Sequence, residues 1–591
     1  MVGRGGAYYT VRIMKKAAHS IVLTALFAIP FLVLYVSGSM YFPFITGKGF
    51  LFRILIEIAA SAYVVLALAD KKYRPRFSWT LVLYAALTLW MFMADLFALN
   101  AHKALWSNYE RMDGFVTLIH LFVFFVIAGS VLSVDKLWRK WWLTFLSATG
   151  LVCVYSLMQL LGSIQIHQGG VRVDATLGNA AYLAAYLLFA LAITLWHAVE
   201  SKGWLRYTLG VLAVAELVVL FYTATRGAIL GVVGAAVLCA FLWMIGAGKK
   251  GQRYALVALV SLLVVVGGFW VMRDSAWVRS EPTLARISSI TVSEGHTRFT
   301  LWGMAAEGVM KRPLVGYGHE GFNYIFNTYY KPSLYGQEPW FDRAHNVFVD
   351  WLVSGGIPAF LLFIGLLVSA VLALYRSEVS RAERIFLTGA IAAYAFQALF
   401  VFDNLFTYIP LAAILAMAHV ASSRPFKQID RLPVLGTTEL NTVAPIMLVV
   451  GIALVWAVNI PSMRAAGDLV HAISGIPGGP QANLDYFKKA VADGSYGTQE
   501  IREQLVSYAN SVAANPSASN QLKDEFVRFA ISEMGKEVER APLDARLRAQ
   551  YALIYETGGQ YDKALEQVNE AIALSPKKQS FYLQKANLLA S

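Results

Sequence analysis

The chain has 591 residues, of which 57% are hydrophobic and 15% charged, with a mean hydropathy of +0.54. This composition excludes an ordinary soluble domain and predicts an integral membrane protein. Cys153 and Cys239 are the two cysteines and both lie in apolar segments, so no disulfide framework or cysteine metal site is expected. The net charge of +13 comes mostly from basic segments beside apolar ones, which explains it without nucleic-acid binding.

Apolar segments long enough to cross a bilayer core of about 30 Å recur along the chain. The predicted fold class is therefore all-α, a polytopic membrane helix bundle. We predict about 12–13 spans, near 20–40, 50–69, 79–99, 115–133, 141–162, 180–199, 206–222, 227–246, 254–272, 345–375, 385–402, 405–421 and 443–461.

Charge predicts the orientation of these spans. Basic residues precede the first span and no cleavage site follows it, which favours a signal anchor with a cytoplasmic N-terminus. On the alternating path, 22 Lys and Arg fall on inner segments and six fall around short outer loops. This path leaves one long extracytoplasmic loop at about 273–344 and delivers the C-terminal region to the same outer side.

The composition becomes polar after the last span, so we expect a transmembrane domain at 1–462 and an extracytoplasmic helical domain at 463–591. Residues 544–577 have the spacing of a 34-residue tetratricopeptide repeat, which predicts an α-solenoid. The marker residues are Ala552, Tyr555, Ala564, Ala571 and Pro576. Residues 581–591 begin another first helix, so we expect either a truncated repeat array or a final helix that caps it.

Four arginines fall on the predicted outer face, where the topology does not require them. They are Arg111, Arg172, Arg226 and Arg298. An anionic ligand such as a phosphate would explain them, because the guanidinium is planar, always charged and donates paired hydrogen bonds. Each arginine taken alone also fits an interfacial side chain.

His345 stands in “DRAHNVFVDWLVSGGIPAF” (342–360), just before a long apolar segment. Its reference pKa near 6.5 suits a general base at neutral pH, although a helix-entry histidine at the interface is the alternative. Asp342 or Asp350 is a candidate to orient it, and Asp403 is a candidate wall residue. The “SGGIP” sequence is predicted to open or kink the span.

Arg53 and Glu57 are one helical turn apart inside a predicted span. We expect these two residues to pair with each other.

Five stretches, taken in order, resemble the successive motifs of the O-antigen ligase and polymerase-type superfamily over about 105–410. They are “YERMDG” (109–114), “RVDATLGNAAYLAAYL” (172–187), “TATRGAILG” (223–231), “HTRFTLW” (296–302) followed by “RPLVGYGHEGF” (312–322), and “AHNVFVDWLVSGGIP” (344–358). The repeat tail is similar to that of a subgroup of this superfamily. “GNAAY” departs from the more usual Gly-Asn-Pro-Asn, and Ser354 stands where many members have Glu.

The resemblance implies a GT-C type glycosyltransferase of the bacterial cytoplasmic (inner) membrane that needs no metal or cofactor. Such an enzyme moves a glycan, with inversion, from an undecaprenyl diphosphate carrier to an acceptor outside the cytoplasm. Carried over by motif, His345 would be the base and Arg172, Arg226 and Arg298 would bind the diphosphate. Arg111 and Asn346 are further substrate-binding candidates.

Several functions stay open at this point. Within the superfamily, the acceptor could be a lipid, a protein or a growing glycan, which correspond to an O-antigen ligase, a protein O-oligosaccharyltransferase and a polysaccharide polymerase. A protein partner of the repeat domain is also expected. A transporter or flippase of the lipid-linked sugar is the alternative from another class, although no similarity between halves is visible. A scaffold with an inactive membrane part is a third reading.

Overall fold

The computed structural model describes residues 2–133, 135–168, 170–289 and 295–590. The regular secondary structure of these residues is helical, apart from one isolated β-bridge between Phe77 and Arg424. The prediction of an all-α polytopic bundle is confirmed at this level.

The helices before the long loop are α1 (Val2–Ala28), α2 (Thr46–Ala69), α3 (Trp79–Leu96), α4 (Ala101–Trp106), α5 (Phe115–Val131), α6 (Asp135–Leu160), α7 (Ala180–Glu200), α8 (Trp204–Tyr222), α9 (Arg226–Met244) and α10 (Lys249–Met272). The long loop contains α11 (Ala276–Ser280), α12 (Pro282–Ser288), α13 (His296–Lys311) and α14 (Phe322–Thr328). Next come α15 (Val347–Arg376), α16 (Arg381–Gln397), α17 (Leu405–Ser422), α18 (Lys427–Asp430) and α19 (Thr437–Ile473). The C-terminal region contains α20 (Gly479–Ala492), α21 (Thr498–Ala514), α22 (Asn520–Arg540), α23 (Ala545–Thr557), α24 (Tyr561–Leu574) and α25 (Gln579–Ala590).

Eleven of the described helical segments are long and apolar enough to cross a membrane, by length and composition only. The predicted spans at 115–133 and 385–402 correspond to α5 and α16, which have 17 residues each. A helix of that length extends about 26 Å, slightly less than a bilayer core of about 30 Å. The short length of these two helices explains why fewer spans are counted than the 12–13 predicted.

The buried centre of the bundle is formed by α7 and α17, whose spans are 78% and 72% buried. By contrast, the spans of α10 and α19 are 6% and 11% buried, and their apolar side chains face outward. An apolar helix surrounded by protein is expected at a core position, whereas an exposed apolar helix requires lipid around it. The exposed helices therefore support a membrane location.

The predicted kink in the “SGGIP” segment is present in α15. Gly356 has φ 70° and ψ −170°, a conformation that is accessible almost only to glycine. The groups released there bond to the 313–318 segment: the Ile357 amide donates to the Pro313 carbonyl at 2.8 Å, and the Tyr317 amide donates to the Val353 carbonyl at 2.8 Å. The kink thus ties α15 to the end of the long loop.

The predicted pair between Arg53 and Glu57 does not form. The Glu57 carboxylate lies 3.1 Å from His120 Nε2 and accepts from Asn459 Nδ2 at 2.8 Å, while Arg53 donates to Thr117 Oγ1 at 2.9 Å. Partners on neighbouring helices replace the local pair, because both side chains are buried between helices and not on a solvated face.

The C-terminal region continues directly from a membrane helix. The predicted domain boundary at 462/463 falls within α19, which runs unbroken through that position to Ile473. Beyond it, α23 and α24 are joined by a short turn at 558–560, and Ala552, Ala564 and Ala571 are fully buried where the helices pack. This arrangement fits the predicted helical hairpin, and its assignment to the tetratricopeptide class stays a prediction.

Gly356→Ala is expected to destabilise the protein by about 1–3 kcal/mol through the backbone conformation. An added Cβ would also lie 2.2 Å from the Leu314 carbonyl oxygen. The matched control is Gly365→Ala in the same helix, where an added Cβ makes only ordinary contacts from 3.8 Å. Thermal unfolding of the purified protein should show a lower midpoint for Gly356→Ala alone, and equal midpoints for both variants would contradict this account of the kink.

Candidate active site

His345 lies in the short segment between the long loop and α15. Its backbone has φ 55°, which is uncommon for a residue with a side chain. The imidazole packs between Phe341 and Phe402, with ring centroids 5.7 and 5.2 Å away. Burial lowers the pKa of His345, so the imidazole is neutral at pH 7. A neutral imidazole held in one place is the form that can accept a proton.

Asp342 pairs with Arg111 and not with His345. Arg111 Nε and Nη2 donate to the two Asp342 oxygens at 2.9 and 3.2 Å, and Arg111 Nη1 donates to the Tyr182 hydroxyl at 3.1 Å. Burial alone would raise the pKa of Asp342, but Arg111 outweighs it and holds the pKa well below its ordinary value. Asp342 therefore forms no direct hydrogen bond with the imidazole among the described residues, and its role in orienting His345 stays a prediction.

Asp350 also acts on the backbone and not on the imidazole. Its carboxylate accepts from the Ala344 amide at 2.9 Å, while His345 Nδ1 faces the Arg343 carbonyl oxygen at 3.3 Å. Asn346 caps α15: its side-chain oxygen accepts from the Phe348 and Val349 amides at 3.0 and 3.3 Å. Both side chains fix the turn that carries His345.

A buried ion-pair network surrounds this turn. Arg343 is 5% exposed and its Nη2 donates to Glu320 at 2.7 Å and to Asp113 at 3.2 Å. Glu320 also accepts from the Ser107 hydroxyl at 2.8 Å. The network joins the loop before α5, the end of the long loop and the His345 segment.

Three arginines converge on the tight turn 223–225, which separates α8 from α9. Arg172 donates to the Thr223 carbonyl at 3.1 Å and to the Thr225 hydroxyl at 3.2 Å. Arg286 donates to the Ala224 carbonyl at 3.2 Å. Arg226, the first residue of α9, donates to the Arg286 carbonyl at 2.7 Å. The turn thus gathers side chains from three separate segments.

Arg298 connects these arginines to His345. It is close enough to Arg226 to repel its charge, and its own charge lowers the pKa of His345 after the effect of burial. Burial and then the charges of Arg286 and Arg226 lower the pKa of Arg172. Among the described residues, no carboxylate forms an ion pair with Arg172 or Arg298. We call Arg172, Arg226, Arg286 and Arg298 the arginine cluster.

Asp403 lies on the other side of the site, just before α17. It accepts hydrogen bonds from Tyr394 at 2.6 Å and from Thr407 at 2.8 Å, and burial raises its pKa to about 7. Beside it is a cavity of about 40 Å³, enough for a few water molecules. The polar part of its lining includes Lys48, Glu110, Arg111, Asp113, Tyr182 and Asn404.

Phe402 contacts the imidazole and two residues that line this cavity, Arg111 and Tyr182. Arg111 stacks on the Phe402 ring at 4.4 Å, and Tyr182 packs on the same ring at 5.9 Å. The His345 ring contacts Phe402 at 5.2 Å. The structure thus brings Arg111, Tyr182 and His345 around one aromatic ring.

Three of the candidate site residues lie at or just before the N-terminal ends of helices. Arg226 opens α9, Arg298 lies in the first turn of α13, and His345 precedes α15. Helix N-termini carry partial positive charge and unpaired backbone amides, which favour anions. The local backbone adds to the positive potential of the arginines.

Residues 210–364 match the protein family described as O-Antigen ligase. No curated protein is significantly similar to the chain. The matched segment contains His345 and three members of the arginine cluster, Arg226, Arg286 and Arg298. Arg111, Arg172 and the C-terminal helices α20–α25 lie outside it. The match shows that this segment is similar to that family, and the apolar helices independently support a membrane protein.

Sequence reasoning missed Arg286, which belongs to the arginine cluster. It sits in the seven-residue helix α12, which has no motif and no strong apolar pattern. The sequence also does not predict a partner for Arg343, because Glu320 and Asp113 are distant from it in the chain. In the described residues, no group of His, Cys, Asp or Glu side chains is arranged to hold a metal ion.

Arg343→Met should destabilise the protein by about 3–5 kcal/mol, because it leaves the buried carboxylate of Glu320 without its cation. The control is Arg279→Met in the long loop, whose ion pair with Asp274 is 68% and 73% exposed and should contribute less than about 1 kcal/mol. Thermal unfolding at neutral pH measures both. Similar midpoints for the two variants would mean that the buried network does not hold the loops together.

Proposed function

We propose that this protein is a membrane glycosyltransferase of the O-antigen ligase type, which transfers a glycan from an undecaprenyl diphosphate carrier to an acceptor on the outer side of the bacterial cytoplasmic membrane. The observation that carries the proposal is a histidine held between two aromatic rings near a cluster of four arginines, two of which have no ion-pair partner among the described residues. The family match to residues 210–364 supports the same reaction class.

The arginine cluster is the proposed binding site for the diphosphate of the donor. Arg172 and Arg298 have no carboxylate partner among the described residues, and a diphosphate bound beside them would offset the repulsion between neighbouring guanidinium groups. The same contacts stabilise the negative charge that develops on the leaving diphosphate during transfer. Fixed donors of this kind need no reorganisation at the moment of reaction.

His345 is the proposed general base. The acceptor hydroxyl or amine forms a bond to the anomeric carbon as its proton moves to the neutral imidazole. The bond between that carbon and the diphosphate oxygen breaks, and the electron pair stays on the diphosphate. Attack from the face opposite the diphosphate inverts the anomeric centre. The proton then leaves the imidazole to solvent.

The acceptor is proposed only as a class: a lipid, a protein or a growing glycan. The cavity beside Arg111 and Asp403 lies near Phe402 and offers hydrogen-bonding groups next to aromatic faces. These are the groups that bind polar substrates such as sugars. We propose that the acceptor approaches from this side and the donor from the side of the arginine cluster.

Arg298→Ala should lower the transfer rate by about 10²–10³-fold, the usual effect of losing one such stabilising contact. Arg279→Ala is the control, since Arg279 lies in the same long loop but pairs with Asp274. The assay follows glycan release from purified undecaprenyl diphosphate glycan, with and without chelator. If the carrier crossed the membrane with its glycan still attached, the protein would be a transporter and not a transferase.

The pH profile of kcat/KM should have its acid limb below pH 6.5. The base must be neutral, and burial lowers the pKa of His345, so activity is retained at pH 6.5 and falls as the pH drops through the lowered pKa. His345→Ala should abolish transfer at every pH. A half-maximum above pH 6.5, or full transfer by His345→Ala, would remove His345 from this role.

A further inference from the structure

The C-terminal helices α20–α25, here called the repeat region, contact the segment that carries His345. Lys578, between α24 and α25, is 3% exposed and its Nζ donates to the Pro339 carbonyl at 2.5 Å. The same ammonium lies 3.3 Å from the centroid of the Trp340 ring. The rings of Phe326, Tyr330 and Phe581 complete an aromatic cage, with centroids 5.0, 5.3 and 5.7 Å from the ammonium.

The cage is connected to the imidazole through direct packing. Phe326 contacts the Phe341 ring at 5.5 Å, and Phe341 contacts the His345 ring at 5.7 Å. Trp340 immediately precedes Phe341 in the chain. Burial lowers the pKa of Lys578 to about 7, and the aromatic faces favour the charged form, because a cation held over them away from water binds them more strongly than an exposed one does. Lys578 therefore holds the backbone at Pro339, six residues before His345.

A second contact reaches the loop that carries Arg111. Glu500 of α21 accepts from the Tyr109 amide at 2.7 Å and from the Glu110 amide at 3.3 Å. The Tyr109 hydroxyl bonds to Ser495 at 2.5 Å and donates to the Ser462 carbonyl at 2.8 Å. Arg111 follows directly and holds Asp342 through two hydrogen bonds. The repeat region thus holds both partners of the ion pair beside His345.

We propose that the repeat region is a working part of the active site, in which Lys578 and Glu500 are positioning residues for the His345 segment and the Arg111 loop. This inference rests on the proposed function for its effect on transfer. Neither residue contacts the arginine cluster in the described structure, so their loss should affect the reaction step and leave donor binding unchanged. If the repeat region only recruited a partner and were joined loosely to the membrane part, the loss of Lys578 or Glu500 would not change the reaction step.

The first test is Lys578→Met, which keeps the length of the side chain and removes its charge. We expect kcat to fall by about 10- to 100-fold, because small displacements of a catalytic group have effects of this size, while KM for the donor stays unchanged. Lys578→Arg should restore most of kcat, since it retains the cation and its donors. The control is Lys563→Met, because Lys563 of α24 contacts the Tyr555 ring at 5.5 Å within the repeat region and does not contact the His345 segment.

Amide hydrogen exchange of the same full-length variants tests the contact without relying on activity. Lys578→Met should speed exchange in peptides covering 332–346, with peptides of α22 unchanged. Glu500→Gln, whose amide group cannot accept both backbone N–H groups as the carboxylate does, should speed exchange at 108–113. Glu525→Gln is its control, since Glu525 pairs only with exposed Lys488.

The proposal is overturned if Lys578→Met leaves kcat and the exchange of 332–346 unchanged. It is also overturned if only KM rises, or if exchange rises equally through α20–α25, which would indicate that Lys578 only stabilises the repeats. If the parent protein transfers no glycan, the proposed function fails separately, and the exchange measurements still decide whether the repeat region holds these loops.

Discussion

The buried arginine Arg343 constrains the whole outer end of the bundle. An isolated charge away from water is very unfavourable, so the fold must bring anions to it. Those anions, Glu320 and Asp113, lie in separate segments that are more than 20 and more than 200 residues away. The loop before α5, the end of the long loop and the His345 segment therefore assemble together. The position of His345 follows from this ionic framework, with Asp350 fixing the adjacent backbone.

The arginines near His345 fall into two electrostatic kinds. Arg343 and Arg111 form ion pairs with carboxylates, so their charges stabilise the fold. Arg172 and Arg298 have no such partners among the described residues, and Arg172 and Arg226 donate to backbone carbonyls. The sequence places Arg111 in the same group as the other three, because spacing and predicted topology carry no information about partners. Its two hydrogen bonds to Asp342 give Arg111 an anionic partner that Arg172 and Arg298 lack among the described residues, which is why the arginine cluster is the proposed anion site.

The apolar length of segments predicts most of the membrane helices, since lipid demands that length and composition regardless of tertiary structure. The kink at Gly356 is also predictable, because Gly and Pro act locally on the backbone. Ion pairs are not predictable in this way. Glu57 has a cation one turn away, yet it bonds to His120 and Asn459, and Arg286 has no local signal at all. These contacts depend on which helices become neighbours, which a single sequence with no strong pairing pattern does not specify.

The proposed site residues and the groups that pack around them lie in different parts of the chain. The segment that matches the O-antigen ligase family carries His345 and three of the four clustered arginines, so it contains most of the proposed site residues. Groups that contact the segments around those side chains are partly outside it: Asp113 and Arg111 before α5, and Lys578 and Glu500 in the C-terminal helical region. A short segment with a helix kink and a histidine at positive φ would not hold its geometry alone. Its surroundings supply that rigidity through buried ion pairs and an aromatic cage, which are strong because water is excluded from them.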